Sequence, residues 1–318
     1  MDTRESRQPF QVVLAIAALL VVAAVLTLRT VTHPVVLEPS SDNPTPLGYT
    51  WSLLLFIIPI AALAWWFVSR RDLKFPRAAF WRTIAVLAPV GFLLDLLFGN
   101  AFFVFPNKPA TLGIDIPAHG GAIPIEEFAF YLTGFMLVLL SYIWCDEYWM
   151  AAYNVPDYEA ATKGMPRIVR FHSASLILGL VLIAGAVVYQ KFFSGAPGFP
   201  WYFIYLTCAS LIPSAGFFKT AQSFINWRAF SFTFFLLLLI SLLWEVTLAL
   251  PYGWWRYRDE AMIGLKIGAW SDLPIEAPCV WMAVSFTTVI VYEVIKIWKA
   301  LGRRALAAFF GNADARPG

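Results

Sequence analysis

The sequence predicts an all-α membrane protein of about eight transmembrane helices, containing a parallel tandem repeat of three-helix units. Three observations predict it. Hydrophobic residues make up 60% of the 318-residue chain and charged ones 14%, against roughly 25% charged in an average soluble domain. Apolar stretches of about 17 to 25 residues, long enough to cross a bilayer, recur along the chain. A pattern of acids occurs twice, 150 residues apart.

The apolar segments lie near 10–28, 50–69, 80–98, 123–145, 172–190, 200–218, 230–250 and 274–298. The first follows Arg4 and Arg7 but is longer than the roughly 7 to 15 apolar residues of a signal peptide, and no small-x-small cleavage site follows. It reads as a retained helix. With the N-terminus inside, the inner segments carry 17 of the 23 basic residues, the densest cluster being Arg70, Arg71, Lys74, Arg77 and Arg82. The positive-inside rule then places both termini in the cytoplasm, as in a bacterial inner membrane protein.

Shifting the chain by 150 residues superposes the second to fourth segments on the sixth to eighth. Phe80 falls on Phe230, Asp95 on Glu245, Phe102 on Tyr252, Phe105 on Trp255, Pro124 on Pro274 and Glu126 on Glu276. An even number of spans separates the copies, so they run parallel, unlike an inverted transporter repeat. The organisation expected is an N-terminal helix and outer loop (1–49), a first repeat (50–145), a connection with an extra helix (146–199), a second repeat (200–298) and a basic cytoplasmic tail (299–318).

Each copy sets an acid near the end of one apolar segment and Pro-Ile-Glu at the start of the next: Asp95 with Glu126 and Glu127, then Glu245 with Glu276. Carboxylates at the borders of membrane segments are costly and mark functional sites. Burial away from water favours the neutral form of a carboxyl, and a neutral acid beside aromatic faces can protonate an alkene and shield the resulting cation. The loops between the acids, 102–122 and 252–272, supply Phe102, Phe103, Phe105, Tyr252, Trp254, Trp255 and Tyr257. Two plainer readings stand beside this one. Glu126 and Glu276 follow a Pro-Ile pair and suit the first turn of any helix, and the aromatic residues suit a membrane interface. Glu127 has Ala277 as its counterpart, so it either faces water or, by its charge, keeps one proton on a Glu126–Glu127 pair and makes the first half the proton donor.

Other chemistries lack their parts. His33, His119 and His172 have no metal-ligand spacing, Cys145, Cys208 and Cys279 have no pairing pattern, and no G-x-G-x-x-G follows a strand. Aspartate-rich magnesium sites are missing. Lys296 sits at the cytoplasmic end of the last segment, too shallow for a retinal lysine, and reads with the basic tail as facing headgroups. No metal, cofactor or nucleic acid is expected; the partners expected are membrane lipid and a lipophilic isoprenoid.

The segment Pro124-Ile125-Glu126-Glu127-Phe128, preceded by an acid-bearing helix and a Gly-containing aromatic loop, resembles the integral-membrane lycopene cyclase domain of heterodimeric and fused carotenoid cyclases. Trp244-Glu245, Trp255-x-Tyr257, Gly264 and Pro274-Ile275-Glu276 resemble it a second time. The resemblance covers about 80–145 and 230–297. It implies cofactor-independent, redox-neutral cyclisation of a linear carotenoid such as lycopene, with Asp95, Glu126, Glu127, Glu245 and Glu276 at the motif's acid positions. Ala277-Pro278 departs from the motif, and the segments at 10–28 and 172–190 exceed the three-helix domain. Enzymes acting on another membrane isoprenoid, and a non-enzymatic carrier of lipid or protons, remain the competing readings.

Overall fold

The computed structural model describes residues 45–311 and a few scattered residues between Gln11 and Val25. The predicted span at 10–28, apart from those few, and the tail beyond 311 lie outside the described residues. Among the described residues, seven helices are long and apolar enough to cross a membrane: α1 (Gly48–Ser69), α2 (Arg77–Phe102), α3 (Ile125–Trp149), α4 (Ser173–Ser194), α5 (Trp201–Ala221), α6 (Trp227–Ala249) and α7 (Glu276–Leu301). They match the predicted second to eighth segments to within a few residues. Local chemistry sets several ends. The Asn226 side chain caps α6 by accepting the Ala229 N–H, and Gly302, at φ 62°, closes α7 in the left-handed conformation that only glycine adopts without cost. Pro59, Pro89 and Pro213 lie inside α1, α2 and α5, as helices in an apolar bundle tolerate.

Helices α3 and α7 pack against each other at the centre. α1 lies on α3 and α5 on α7, while α2 contacts both α3 and α7, and α6 contacts both as well. α4 packs on α5 at the periphery and is much less buried than the central α7. A large apolar core runs through this arrangement, including Phe80, Leu139, Ile143, Phe230, Leu237 and Ile290.

The long connections after α2 and α6 are more regular than the sequence suggests. Strand β1 (Phe103–Val104) pairs antiparallel with β4 (Arg256–Tyr257), tying one loop to the other. Hairpins β2 (Asp115–Ala118) with β3 (Gly121–Pro124), and β5 (Lys266–Ile267) with β6 (Leu273–Pro274), fold each loop back onto the next helix. The Ile125 N–H donates to Ile114 O at 2.9 Å and the Ile275 N–H to Leu265 O at 3.0 Å; Leu47 N–H reaches Pro109 O at 2.8 Å and Phe199 N–H reaches Glu260 O at 3.0 Å. Gly264, at φ 85°, is required twice over, because a Cβ there would lie 2.5 Å from that of Ala196.

At the opposite end of the bundle the structure corrects the reading of Lys296. The side chain is buried, 9% exposed, and pairs with Asp146 at 3.3 Å and Glu293 at 3.5 Å. Glu293 also accepts from Tyr142 at 3.0 Å and Tyr158 at 2.6 Å, and the ammonium lies 4.3 Å from the centre of the Tyr158 ring. Burial and the adjacent Glu293 push the Tyr158 phenol well above its ordinary value, so it stays a donor. The tail is likewise not wholly solvated. Its short helix Ala305–Phe310 docks on the connection before α4, with Ile168 N–H donating to Ala308 O and Val169 N–H to Phe309 O.

A candidate acid chamber

All five candidate acids are buried at the loop end of the bundle, and their directions divide them. Pro124 is extended, so α3 starts abruptly with Glu126 and Glu127 in its first turn, about 100° apart around the helix. Glu126 turns back to its own loop and accepts the Leu112 N–H and the Thr50 hydroxyl, both at 2.6 Å. Glu276, at the start of α7, does the same for its loop and accepts the Ile263 N–H at 2.6 Å. These two carboxylates fasten the loops to the helices that follow them, using the orphan-donor chemistry of chain segments that leave the ladder.

Glu127 turns inward. It accepts the hydroxyl of Tyr49, a side chain of α1 with no exposure. The reading of Glu127 as a residue facing water is therefore overturned; Glu126 and Glu127 take different hydrogen-bond partners but stay within electrostatic range of each other. Glu245 opens a π-helical turn, Glu245–Ala249, at the end of α6; such turns re-aim side chains within a helix. It accepts the hydroxyl of Tyr257, which β4 presents, and Trp255 lines the same chamber. Burial and the Glu245 charge push the Tyr257 phenol above its ordinary value, which keeps it a donor.

Glu127 and Glu245 line one chamber of about 40 Å³, room for two or three waters. Its walls are aromatic, from Phe103, Phe130, Tyr131, Tyr202, Trp244, Trp255, Tyr257 and Trp281, and no Lys or Arg is among its lining residues. Asp95 is buried beside it within electrostatic range of Glu127 and Tyr131. Gly99 makes space for that carboxyl, since a Cβ at 99 would stand 2.6 Å from Asp95 Oδ1.

Of the aromatic residues expected from sequence, Trp255, Tyr257 and Phe103 reach the chamber. Phe102 lies behind it against Tyr202 and Tyr205, ring centres 4.8 and 5.1 Å away. Phe105, Tyr252 and Trp254 form an outer layer around Tyr49, and Trp254 donates to Thr45 at 3.0 Å. Tyr49, Phe130, Tyr131, Tyr202, Trp244 and Trp281 were not expected. A signal for several of them exists in helical spacing. Glu127, Phe130, Tyr131 and Gly134 follow i, i+3, i+4 and i+7 on α3, and Ala277, Val280, Trp281 and Val284 repeat those positions on α7, all but Ala277 lining the chamber.

Such a chamber can protonate, bear positive charge against ring faces, and take a proton back, all within a volume from which bulk water is largely kept. Compared with known protein families, with curated proteins and with solved structures, the chain finds no match.

Proposed function

We propose that the protein is a membrane cyclase that closes a ring at the end of a linear isoprenoid, of the lycopene type, by proton transfer alone. One observation carries the reading: Glu127 of α3 and Glu245 of α6, brought from sequence positions far apart, line the same aromatic chamber. In the proposed reaction Glu127 gives its proton to the terminal double bond. The electrons of a second double bond in the chain attack the resulting carbocation and close the ring, moving the positive charge to a ring carbon. Glu245 takes a proton from the neighbouring carbon, whose C–H electrons become the new double bond. Atoms and electrons balance without oxidant or reductant, and the two carboxyls exchange protonation states before the next turnover. Glu245, which accepts the Tyr257 hydroxyl and shares the chamber wall with Trp255, is assigned the base; Glu127, which accepts from Tyr49, is assigned the acid. Tyr131, Trp244 and Trp281 offer ring faces to the cation.

The tandem-repeat architecture belongs to this proposal. Its support is that residues 150 apart play matching parts: Glu126 and Glu276 each hold a loop amide, and Tyr142 and Tyr292 meet ring to ring at 5.9 Å. The proposed setting is a bacterial inner membrane with both termini cytoplasmic and the chamber toward the outer face. Cysteine placed at the exposed Lys108 then reacts with an impermeant reagent from outside; reaction only after the cytoplasmic side is opened reverses the orientation. The test of function is expression in lycopene-accumulating cells. A cyclic pigment of unchanged mass is expected, and unconverted lycopene with well-expressed, folded protein overturns the substrate assignment.

A second reading has its own observation. The indole N–H groups of Trp244 and Trp281 are buried without a hydrogen-bond partner among the described residues, and an isoprenoid carrying a carbonyl, such as a polyprenyl quinone, would supply the acceptor. Extracts of the same cells analysed for quinones distinguish it.

A further inference from the structure

Beyond the acid chamber lies a second slot of about 30 Å³ between α1, α3 and α6, and five residues belong to the walls of both: Phe130, Gly134, Ser241, Trp244 and Trp281. The slot continues away from the acids past Leu53, Phe56, Ile60, Leu137, Leu237 and Ile240. It makes no polar demand of its own at Thr133, whose hydroxyl is already bonded to the carbonyls of Ala129 and Phe130 within α3. On the helices that flank it, Leu55 and Ile58 of α1 and Leu239 and Leu243 of α6 are exposed on the apolar belt of the bundle, the surface that acyl chains cover.

The neck between slot and chamber is open at Gly134. A Cβ there would meet only the Trp281 ring, at an ordinary 3.7 Å, so the backbone of α3 leaves a gap where any larger side chain would project. The corresponding position on α7 is Val284, which lines the chamber but not the slot.

We infer that the slot between α1, α3 and α6 is the lateral entry and binding site for the hydrocarbon chain of the substrate, with Gly134 as the residue that keeps its neck passable. This rests on the proposed function for the chemistry at the far end, while the apolar lining of the slot points to a hydrocarbon occupant. It takes a linear, uncharged isoprenoid chain that slides from the bilayer end-on, leaving its body among lipids and bringing one tip to Glu127 and Glu245. Gly134 and Ser241 act as positioning residues for access.

The probe for the test is a linear polyprenyl hydrocarbon with a diazirine at its tip, photolysed with the full-length protein in phospholipid vesicles and mapped by peptide mass. Adducts are expected on chamber residues of α3 and α6 in the wild type and in Gly134→Ala, whose methyl fits. Gly134→Leu is expected to cut tip labelling of the chamber at least about tenfold while a probe carrying the diazirine mid-chain still labels α1 near Leu53 and Phe56. Ser241→Leu narrows the same neck from α6 and serves if Gly134→Leu does not elute as folded protein. Equal chamber labelling in the leucine variants, or adducts spread over the exposed face of α4 as strongly as in the slot, overturns the entry. Normal labelling in a protein that yields no cyclic product instead overturns the proposed reaction and leaves the entry standing.

Discussion

Glu126 and Glu127 leave one helical turn in different directions, and that difference sets what each substitution should do. Gln at 127 or 245 keeps shape but removes the transferable proton, so Glu127→Gln and Glu245→Gln are expected to lower turnover by at least roughly 10²-fold, the lower bound for loss of general acid–base catalysis. Gln at 126 or 276 keeps an oxygen that can still accept the Leu112 or Ile263 N–H. Those variants should retain far more activity, whereas Ala at either position should free a loop and raise its proteolysis rate. Pigment assays and limited proteolysis on the four Gln and two Ala variants check the division; equal loss in all four Gln variants would reject it. Asp95, Glu245, Glu126 and Glu276 were legible in the sequence because they recur at fixed spacing, whereas Glu127, opposite Ala277, had only its place beside Glu126 to mark it. Their directions were not, since a residue's side of a helix counts only once the neighbouring helices are placed.

At the scale of the helix, the inward face of α3 carries Glu127, Phe130, Tyr131 and Gly134, and α7 presents Ala277, Val280, Trp281 and Val284 at the same positions. Ala277 has no exposure. Ala277→Glu would therefore set a further carboxyl in a dry, uncompensated place, and the expected outcome is lower yield and a lower melting temperature with no gain in turnover. A more active Ala277→Glu protein would mean that the two faces are interchangeable. Hydropathy alone located the seven described spans to within a few residues, because a continuous apolar run has few other fates. The π-helical turn that aims Glu245 and the ribbon β1–β4 that brings Tyr257 to it were invisible in the same sequence. Both depend on partners contributed by distant segments.

For the whole molecule, the cluster of Lys296, Asp146 and Glu293 joins α7 to the end of α3, far from the chamber. Lys296→Met would leave two buried carboxylates without their cation, a loss on the order of 3 to 5 kcal/mol, read as a clear drop in melting temperature. Replacing all three, as Lys296→Met with Asp146→Asn and Glu293→Gln, is expected to recover most of it, because no orphan charge remains. A Lys296→Met protein as stable as the wild type would show the cluster to be idle. The sequence held a clue that reading the tail as a basic surface passed over: Asp146 and Lys296 are 150 residues apart. In a parallel repeat, equivalent residues near the axis meet each other, so opposite charges at one repeat position make a natural pair.

Glu127 has Ala277 as its counterpart, so the two halves build one pair of chamber acids between them and not a pair each. A substrate with two identical ends would then have to be handled one end at a time, withdrawing and reversing between visits. If the proposed function holds and the substrate leaves the chamber between visits, turnover would be distributive. In a time course on lycopene, the half-finished pigment with a single ring should appear first, pass through a maximum while substrate remains, and decline only as the two-ringed pigment accumulates. Excess unlabelled lycopene added midway should trap the labelled half-product by competition, whereas a processive enzyme would carry it through untouched.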